Sequence, residues 1–263
     1  MTANNLNEWT GYRFDYYLSG RTLLFNNQMQ TGVLMLGYAV EAHLKHVLAY
    51  DPEVGKKYRY GHDFMGLFQA LRDGGYMHDV EVSEDLLHFV EDNFDRRYPS
   101  QTNRTLKRAE DRGHAISMSP SVITAYDELI MQLDMSILRL FDSPGSSIMF
   151  KAAQGIDTAG VDLFFHSNYS AVARIETAVS LCDRWLEELK RENPNIYEVN
   201  LRSHRERLPL LDDQARLLRS ERASIGITPR GGFEGALKAS KEFVYPGRYR
   251  ELPDGTRVFE SSF

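Results

Sequence analysis

The residues best suited to chemistry in this chain are cations. Arg96, Arg97, Arg104, Lys107, Arg108 and Arg112 crowd one stretch, opposed only by Glu110 and Asp111. Guanidinium and ammonium groups at that density can neutralise phosphates. A solvated loop explains the same run equally well. Arg96, Arg97, Tyr98, Arg104 and Lys107 form the candidate ligand- or phosphate-binding set. A second arginine-rich region, Arg202, Arg205, Arg207, Arg216, Arg219 and Arg222, is offset by Glu206, Asp212, Asp213 and Glu221. It predicts a salt-bridged exposed face. Arg230-Gly231-Gly232 lacks the spacing of a phosphate loop and reads as a turn.

The other chemical groups are sparser. His43 and His46 are three apart on one helix, a workable ligand spacing, but no third ligand follows locally. Surface or capping histidines are expected there, with no metal and no cofactor. Glu41 and Lys45 are four apart with the acid first, the better orientation for a helical ion pair. His62-Asp63 reads as the cap of a further helix. Glu41, Lys45 and His62 are the candidate polar seam. The Ser, His and Asp residues show no nucleophile elbow.

These groups must be positioned by helices. Trp9, Phe14, Tyr17, Leu18 and Leu24 keep helical spacing, and Met29, Val33, Leu36, Val40, Leu44 and Val47 advance by three or four. Asp51-Pro52 closes that second helix. A third is predicted at about 62–73, with Phe64, Leu67, Phe68 and Leu71 on one face and Gly74-Gly75 as its stop. A fourth starts near Ser83-Glu84-Asp85 and ends near Tyr98, before Pro99. A fifth opens at Pro120 and carries Ile123, Ile130, Leu133, Ile137 and Leu140. Asp142 to Ser147 reads as a linker. Beyond it the pattern predicts one long helix at about 158–192, a shorter one at about 208–222 and a last one to about Phe243. Pro253-Asp254-Gly255 is set between two short runs, as in a β-hairpin. Shifting the chain by 139 residues places Leu24, Phe25, Val33, Ala39 and Val40 on Leu163, Phe164, Val172, Ala178 and Val179, the outline of a degenerate repeat.

The bulk numbers fit a folded globular chain. Of 263 residues, 42% are hydrophobic and 26% charged, enough for a core with a soluble surface. The net charge is −6, and it belongs to residues 1–144, which hold 14 Lys+Arg against 20 Asp+Glu. A chain of this balance is no general polyanion trap. Cys182 is the only cysteine, which excludes an intrachain disulfide framework and a cysteine zinc site. The apolar run near Val33–Val40 is too short for a bilayer, and the N-terminus lacks a signal-peptide layout. No membrane association and a reducing, cytoplasmic setting are expected.

Three strings then carry a resemblance: Gly37-Tyr38-Ala39-Val40-Glu41 with Leu44-Lys45, Gly61-His62-Asp63, and Arg97-Tyr98-Pro99. In this order, with helical spacing between them, they make residues 8–141 resemble a HEPN domain, the small helical bundle of prokaryotic toxin–antitoxin and defence proteins. The resemblance implies a four- or five-helix bundle that often forms a homodimer. It also implies that active members are metal-independent RNases, using an arginine and a histidine a few positions downstream near the last bundle helix. The histidine would relay protons for attack of the ribose 2′-OH, and the arginine would stabilise phosphate charge. This chain departs from that pattern. Gln101, Thr102, Asn103 and Arg104 occupy the positions where a histidine would follow Arg96 and Arg97. Two other pairs exist, Arg72/His78 and Arg108/His114, as many as chance supplies among 23 arginines and eight histidines. Only Arg108/His114 lies between Pro99 and Pro120, where the family keeps its motif.

The expected architecture is all-α. A HEPN-like bundle spans 1–144, and a helical domain with a small terminal β-hairpin spans 145–263, read also as a degenerate second HEPN-like repeat. The missing histidine favours a non-catalytic module that binds RNA, a nucleotide or a protein partner in a toxin–antitoxin or antiviral defence setting. The alternative is a metal-independent RNase with Arg108 and His114 as its catalytic pair.

Overall fold

A computed structural model describes residues 3–26, 28–54, 56–58, 61–82, 84–95, 97, 107, 122–153, 163–164, 168–192, 247–251 and 257–261. Its helices are α1 (Ala3–Phe25), α2 (Met29–Tyr50), α3 (Phe64–Asp73), α4 (Glu84–Asp95), α5 (Val122–Phe141), α6 (Ile148–Ala153), α7 (Tyr169–Val172) and α8 (Ile175–Glu192). Short 3-10 turns lie at Lys56–Tyr58 and Pro144–Ser146. The packed body is all-α. No helix among the described residues is long and apolar enough to cross a membrane.

Helix α2 is the centre. Thirteen of its 22 residues are buried, and it packs against α1, α3, α4 and α5. That explains why its apolar residues are not confined to one stripe. Helices α1 and α2 form the largest contact, and two glycines make it close. A Cβ on Gly20 would sit 2.6 Å from Leu36 Cγ, and one on Gly32 would sit 2.8 Å from Leu24 Cγ. Each glycine admits a leucine of the opposite helix. Gly37 does the same for Phe94 on α4, whose Cδ2 would lie 2.4 Å from an added Cβ.

The expected helix signals act as read. The Asp51 amide bonds back to Val47 O at 3.1 Å where α2 stops. The Asp63 carboxylate accepts from the Gly66 amide at 2.7 Å and caps α3. At the other end Gly75 takes φ +90°, a left-handed value that glycine adopts without steric penalty. The Tyr76 amide then reaches Leu71 O at 2.9 Å.

Two expectations need correction. The segment from Asp142 to Ser147 is not a linker. Ser146 and Ser147 are buried, and Ile148, Met149, Phe150, Phe164, Ala171, Ile175, Ala178 and Cys182 join the same apolar cluster as α1 to α5. The core therefore passes through the expected edge at 144/145 without a break. The predicted helix over 158–192 is also interrupted. A turn at Ala173-Arg174 separates α7 from α8, and Asn168 is non-helical. Asn168 Oδ1 accepts from the Ala171 amide at 3.0 Å, and Arg174 leaves the periodic pattern to pair with Glu128 of α5. A side-chain cap and an ion pair outweigh the apolar period here.

Near the C-terminus, β1 (Gly247–Glu251) and β2 (Arg257–Ser261) pair antiparallel, with Gly247 opposite Ser261 and Glu251 opposite Arg257. The turn residues Pro253-Asp254-Gly255 lie outside the described residues, as do both helices expected between 208 and 243.

Gly32→Ala tests the α1–α2 approach. The substitution returns about 1 kcal/mol of helix propensity but overpacks the contact by about 1–3 kcal/mol. The expected net result is a lower urea midpoint at unchanged m-value.

Candidate functional site

The three sequence strings converge on one aromatic side chain. Phe94, fully buried at the end of α4, receives Tyr38 edge-on at 4.8 Å between ring centroids and His62 at 5.4 Å. The Arg97 guanidinium lies 4.1 Å from the same centroid, a cation–π distance. Arg97 Nη1 donates to Phe94 O at 3.0 Å and stands 3.5 Å from Asp95 Oδ1. Tyr38 continues outward to Tyr16 at 5.5 Å, and Tyr16 to Tyr12 at 6.5 Å. The rings form a ladder from the core to solvent, ending on Tyr12, which is 49% exposed.

Beside this ladder runs the polar seam. Glu41 Oε1 takes Lys45 Nζ at 2.6 Å and His62 Nδ1 at 2.7 Å. The first contact is the helical ion pair that the spacing implied. The second joins α2 to the residue just before the α3 cap. The chain turns at the end of α4 and lays the Arg97 guanidinium on Phe94, the last ring of that helix, beside Asp95.

The histidines expected at the surface are in the core. His43 and His46 are both fully buried. His43 Nδ1 faces Ala39 O at 2.6 Å; since a carbonyl only accepts, Nδ1 carries the proton. His43 Nε2 then lies 4.0 Å from Asp134 Oδ1. His46 packs between Trp9 and Phe141, with centroids at 6.0 and 4.7 Å and near-parallel planes. Burial, with Arg13 adding positive charge nearby, pushes the His43 imidazolium well below the usual range and His46 down to about 2. Both rings are neutral at physiological pH. Their burial follows from the central place of α2, which leaves few outward positions. Among the described residues no three His, Cys, Asp or Glu side chains assemble as metal ligands.

Sequence reasoning missed the largest polar feature, a pair of buried ion pairs between α1 and α5. Arg13 Nη1 meets Asp134 Oδ1 at 3.1 Å, and Arg13 Nη2 donates to Thr10 Oγ1 at 3.2 Å and to Ser146 O. Ser147 Oγ and the Ile148 amide complete the Asp134 carboxylate at 2.6 and 3.0 Å. Two turns along α1, Arg21 pairs with Asp127. Tyr17 donates to Asp127 Oδ1 at 2.6 Å and accepts from Asn168 Nδ2 at 2.8 Å. Burial lowers the Arg13 pKa to about 10, with Asp134 opposing the shift, so the guanidinium stays charged. Next to Asp127 on α5, burial would raise the Glu128 carboxyl, but Arg174, Ser170 and Gln132 hold it below the usual range. A signal for the two pairs was present. Arg13, Tyr17 and Arg21 are four apart, and Asp127 and Asp134 seven apart, on the faces that carry the core.

Of the predicted site residues, Glu41, Lys45 and His62 are brought together, and Arg97 joins them through Phe94. Lys107 is exposed. Arg96, Tyr98, Arg104, Arg108 and His114 lie outside the described residues. Arg72 is half-buried over Phe68 at 5.8 Å, and His78 is exposed at the α3 exit.

Removing one member of a buried pair leaves an uncompensated charge. Asp134→Ala is expected to lower stability by about 3–5 kcal/mol in a urea titration. The neutral histidines set an acid limit. In the unfolded chain each takes a proton below its ordinary pKa near 6.5, while the folded rings do not. Stability is therefore complete above that pH and falls below it, by up to about 1.4 kcal/mol per pH unit per ring. His46→Phe keeps the stacking between Trp9 and Phe141. It should flatten the loss between about pH 6 and 4.5, as measured by urea midpoints across that range.

No family model, no curated protein and no solved structure matches the chain.

Proposed function

We propose that residues 1–144 are a HEPN-like bundle that binds a ribonucleotide, as RNA or as a free nucleotide, in a prokaryotic toxin–antitoxin or defence setting. The observation that carries this reading is the convergence on Phe94. Side chains of all three strings meet there, and a ladder of tyrosines leads from it to solvent. Half-exposed rings offer stacking faces to bases, and arginine beside them offers charge to phosphate. The cation-rich stretch continues from Arg97, in the otherwise acidic half of the chain. The central α2, packed by α1, α3, α4 and α5, supports a five-helix reading of the bundle.

Binding, rather than cleavage by the family's usual pair, is the favoured reading, since no histidine follows Arg97 at the family spacing. Arg108 and His114 lie outside the described residues. A homodimer is part of the proposal, to be checked by mass in solution.

Fluorescence anisotropy with a labelled single-stranded oligoribonucleotide tests binding. Wild-type protein should bind more weakly as salt rises, because phosphate contacts release counterions. Tyr12→Ala should weaken binding by about fivefold or more, the loss of one stacked base. Arg97→Ala should reduce both the affinity and the salt slope. Salt-independent binding, or none, would instead direct attention to a protein partner.

A further inference from the structure

Where α1, α2 and α5 meet, the buried ion pairs leave polar atoms over. Arg13, His43, His46 and Asp134 are all fully buried there. Among the described residues, Arg13 Nε, His43 Nε2 and both nitrogens of His46 have no hydrogen-bond partner. Folded interiors leave few such atoms unpaired. These atoms are neighbours. Arg13 Nη1 and His43 Nε2 lie 3.1 and 4.0 Å from the same oxygen, Asp134 Oδ1. His46 stands three residues after His43 on α2 and stacks on Trp9, one turn before Arg13 on α1. Their roles are fixed by their chemistry. Arg13 Nε only donates, and neutral His46 carries one N–H. His43 Nδ1 gives its proton to Ala39 O, so Nε2 of the neutral ring only accepts. Nε2 and the ionised Asp134 oxygen are then two acceptors 4.0 Å apart with no proton to share. Burial and Arg13 both oppose a proton on His43. Burial favours one on Asp134, but its oxygens already accept from Arg13, Ser147 Oγ and the Ile148 amide, and Arg13 holds against it.

We propose that the junction of α1, α2 and α5 is a binding site for one internal water molecule, held by Arg13, His43 and His46. The water accepts from Arg13 Nε–H and from the N–H of His46. It donates to His43 Nε2 and turns its second hydrogen toward Asp134 Oδ1. Three or four contacts of this kind are what an internal water makes. Charge excludes other guests. An anion would face the Asp134 carboxylate, and a cation would face the Arg13 guanidinium. None of the four side chains reaches solvent, so the guest is also very small. The water has a structural task. Among the described residues, the hydrogen bonds of Arg13 and Asp134 go to α1, α5 and the segment at 146–148, and none reaches α2. The water supplies that link and joins the central helix to the clamp between α1 and α5. This site does not depend on the ribonucleotide-binding reading.

The test uses the full chain, isotopically labelled for NMR and crystallised for a high-resolution structure. Water-selective NOE spectra should show a long-lived water in contact with the ring protons of His43 and His46. The crystal should show one ordered water about 2.7–3.2 Å from both Arg13 Nε and His43 Nε2. Nitrogen shifts at neutral pH should place the His43 proton on Nδ1 alone. His43→Leu removes the acceptor and should abolish the water contact at the His46 ring. His46→Phe removes only one donor and should leave the water on His43. A direct hydrogen bond from His43 Nε2 to Asp134, with the proton on Nε2, overturns the proposal. So does wild-type protein with neither the NOE nor the ordered water. A water contact at His46 that is unchanged in His43→Leu overturns it as well. If His43→Leu does not fold, the wild-type spectra and density decide.

Discussion

The structure depends on two charged groups of α1 that water cannot reach. Arg13 and Arg21 enter the core two turns apart and meet Asp134 and Asp127 of α5. Neither pair would be tolerated without solvation by protein groups. That solvation comes largely from the segment after α5: the Ser146 carbonyl, the Ser147 hydroxyl, the Ile148 amide, the Leu163 carbonyl and Asn168. The ion pairs therefore bind three parts of the chain at once. They also explain why Ile148, Met149, Phe150, Phe164, Ala171, Ile175, Ala178 and Cys182 belong to the first core. Their removal would strand the buried charges, so the segment cannot be an independent appendage.

Geometry on the other side of α2 follows from this clamp. With α1 held against α5, α2 lies central, and its polar residues must find partners inside or at the rim. His43 and His46 are taken inside, as neutral rings. Glu41 and Lys45 reach the rim, where the start of α3 brings His62 to the same carboxylate oxygen. Gly37, one turn before Glu41, lets Phe94 approach closely enough for Tyr38, His62 and Arg97 to share one ring. The rim is thus built on a buried base, with part of the His62 side chain left exposed.

Much of the scaffold was legible in the chain. The apolar period marked α1 to α5, Asp51-Pro52 marked the end of α2, and Asp63 and Gly74-Gly75 marked both ends of α3. Glu41 and Lys45 could be paired from spacing alone. What misled was treating charge as a sign of surface. His43 and His46 looked like surface groups, and Asp142 to Ser147 looked like a linker because its residues are small and polar. Those same small polar residues are what a buried carboxylate needs as donors. The break at Ala173-Arg174 was hidden because an apolar period continues across it.

The sequence by itself determined which side chains share a helix face, where most helices stop, and the ion pair within α2. These depend on contacts three or four residues apart, which helical geometry sets. Only the tertiary structure decided which faces become core and which polar groups meet there. Glu41 and His62 are 21 residues apart, and Arg13 and Asp134 are 121 apart. No local rule selects such partners. They are chosen by the packing of whole helices, which must bury apolar surface and satisfy every charge taken in with it.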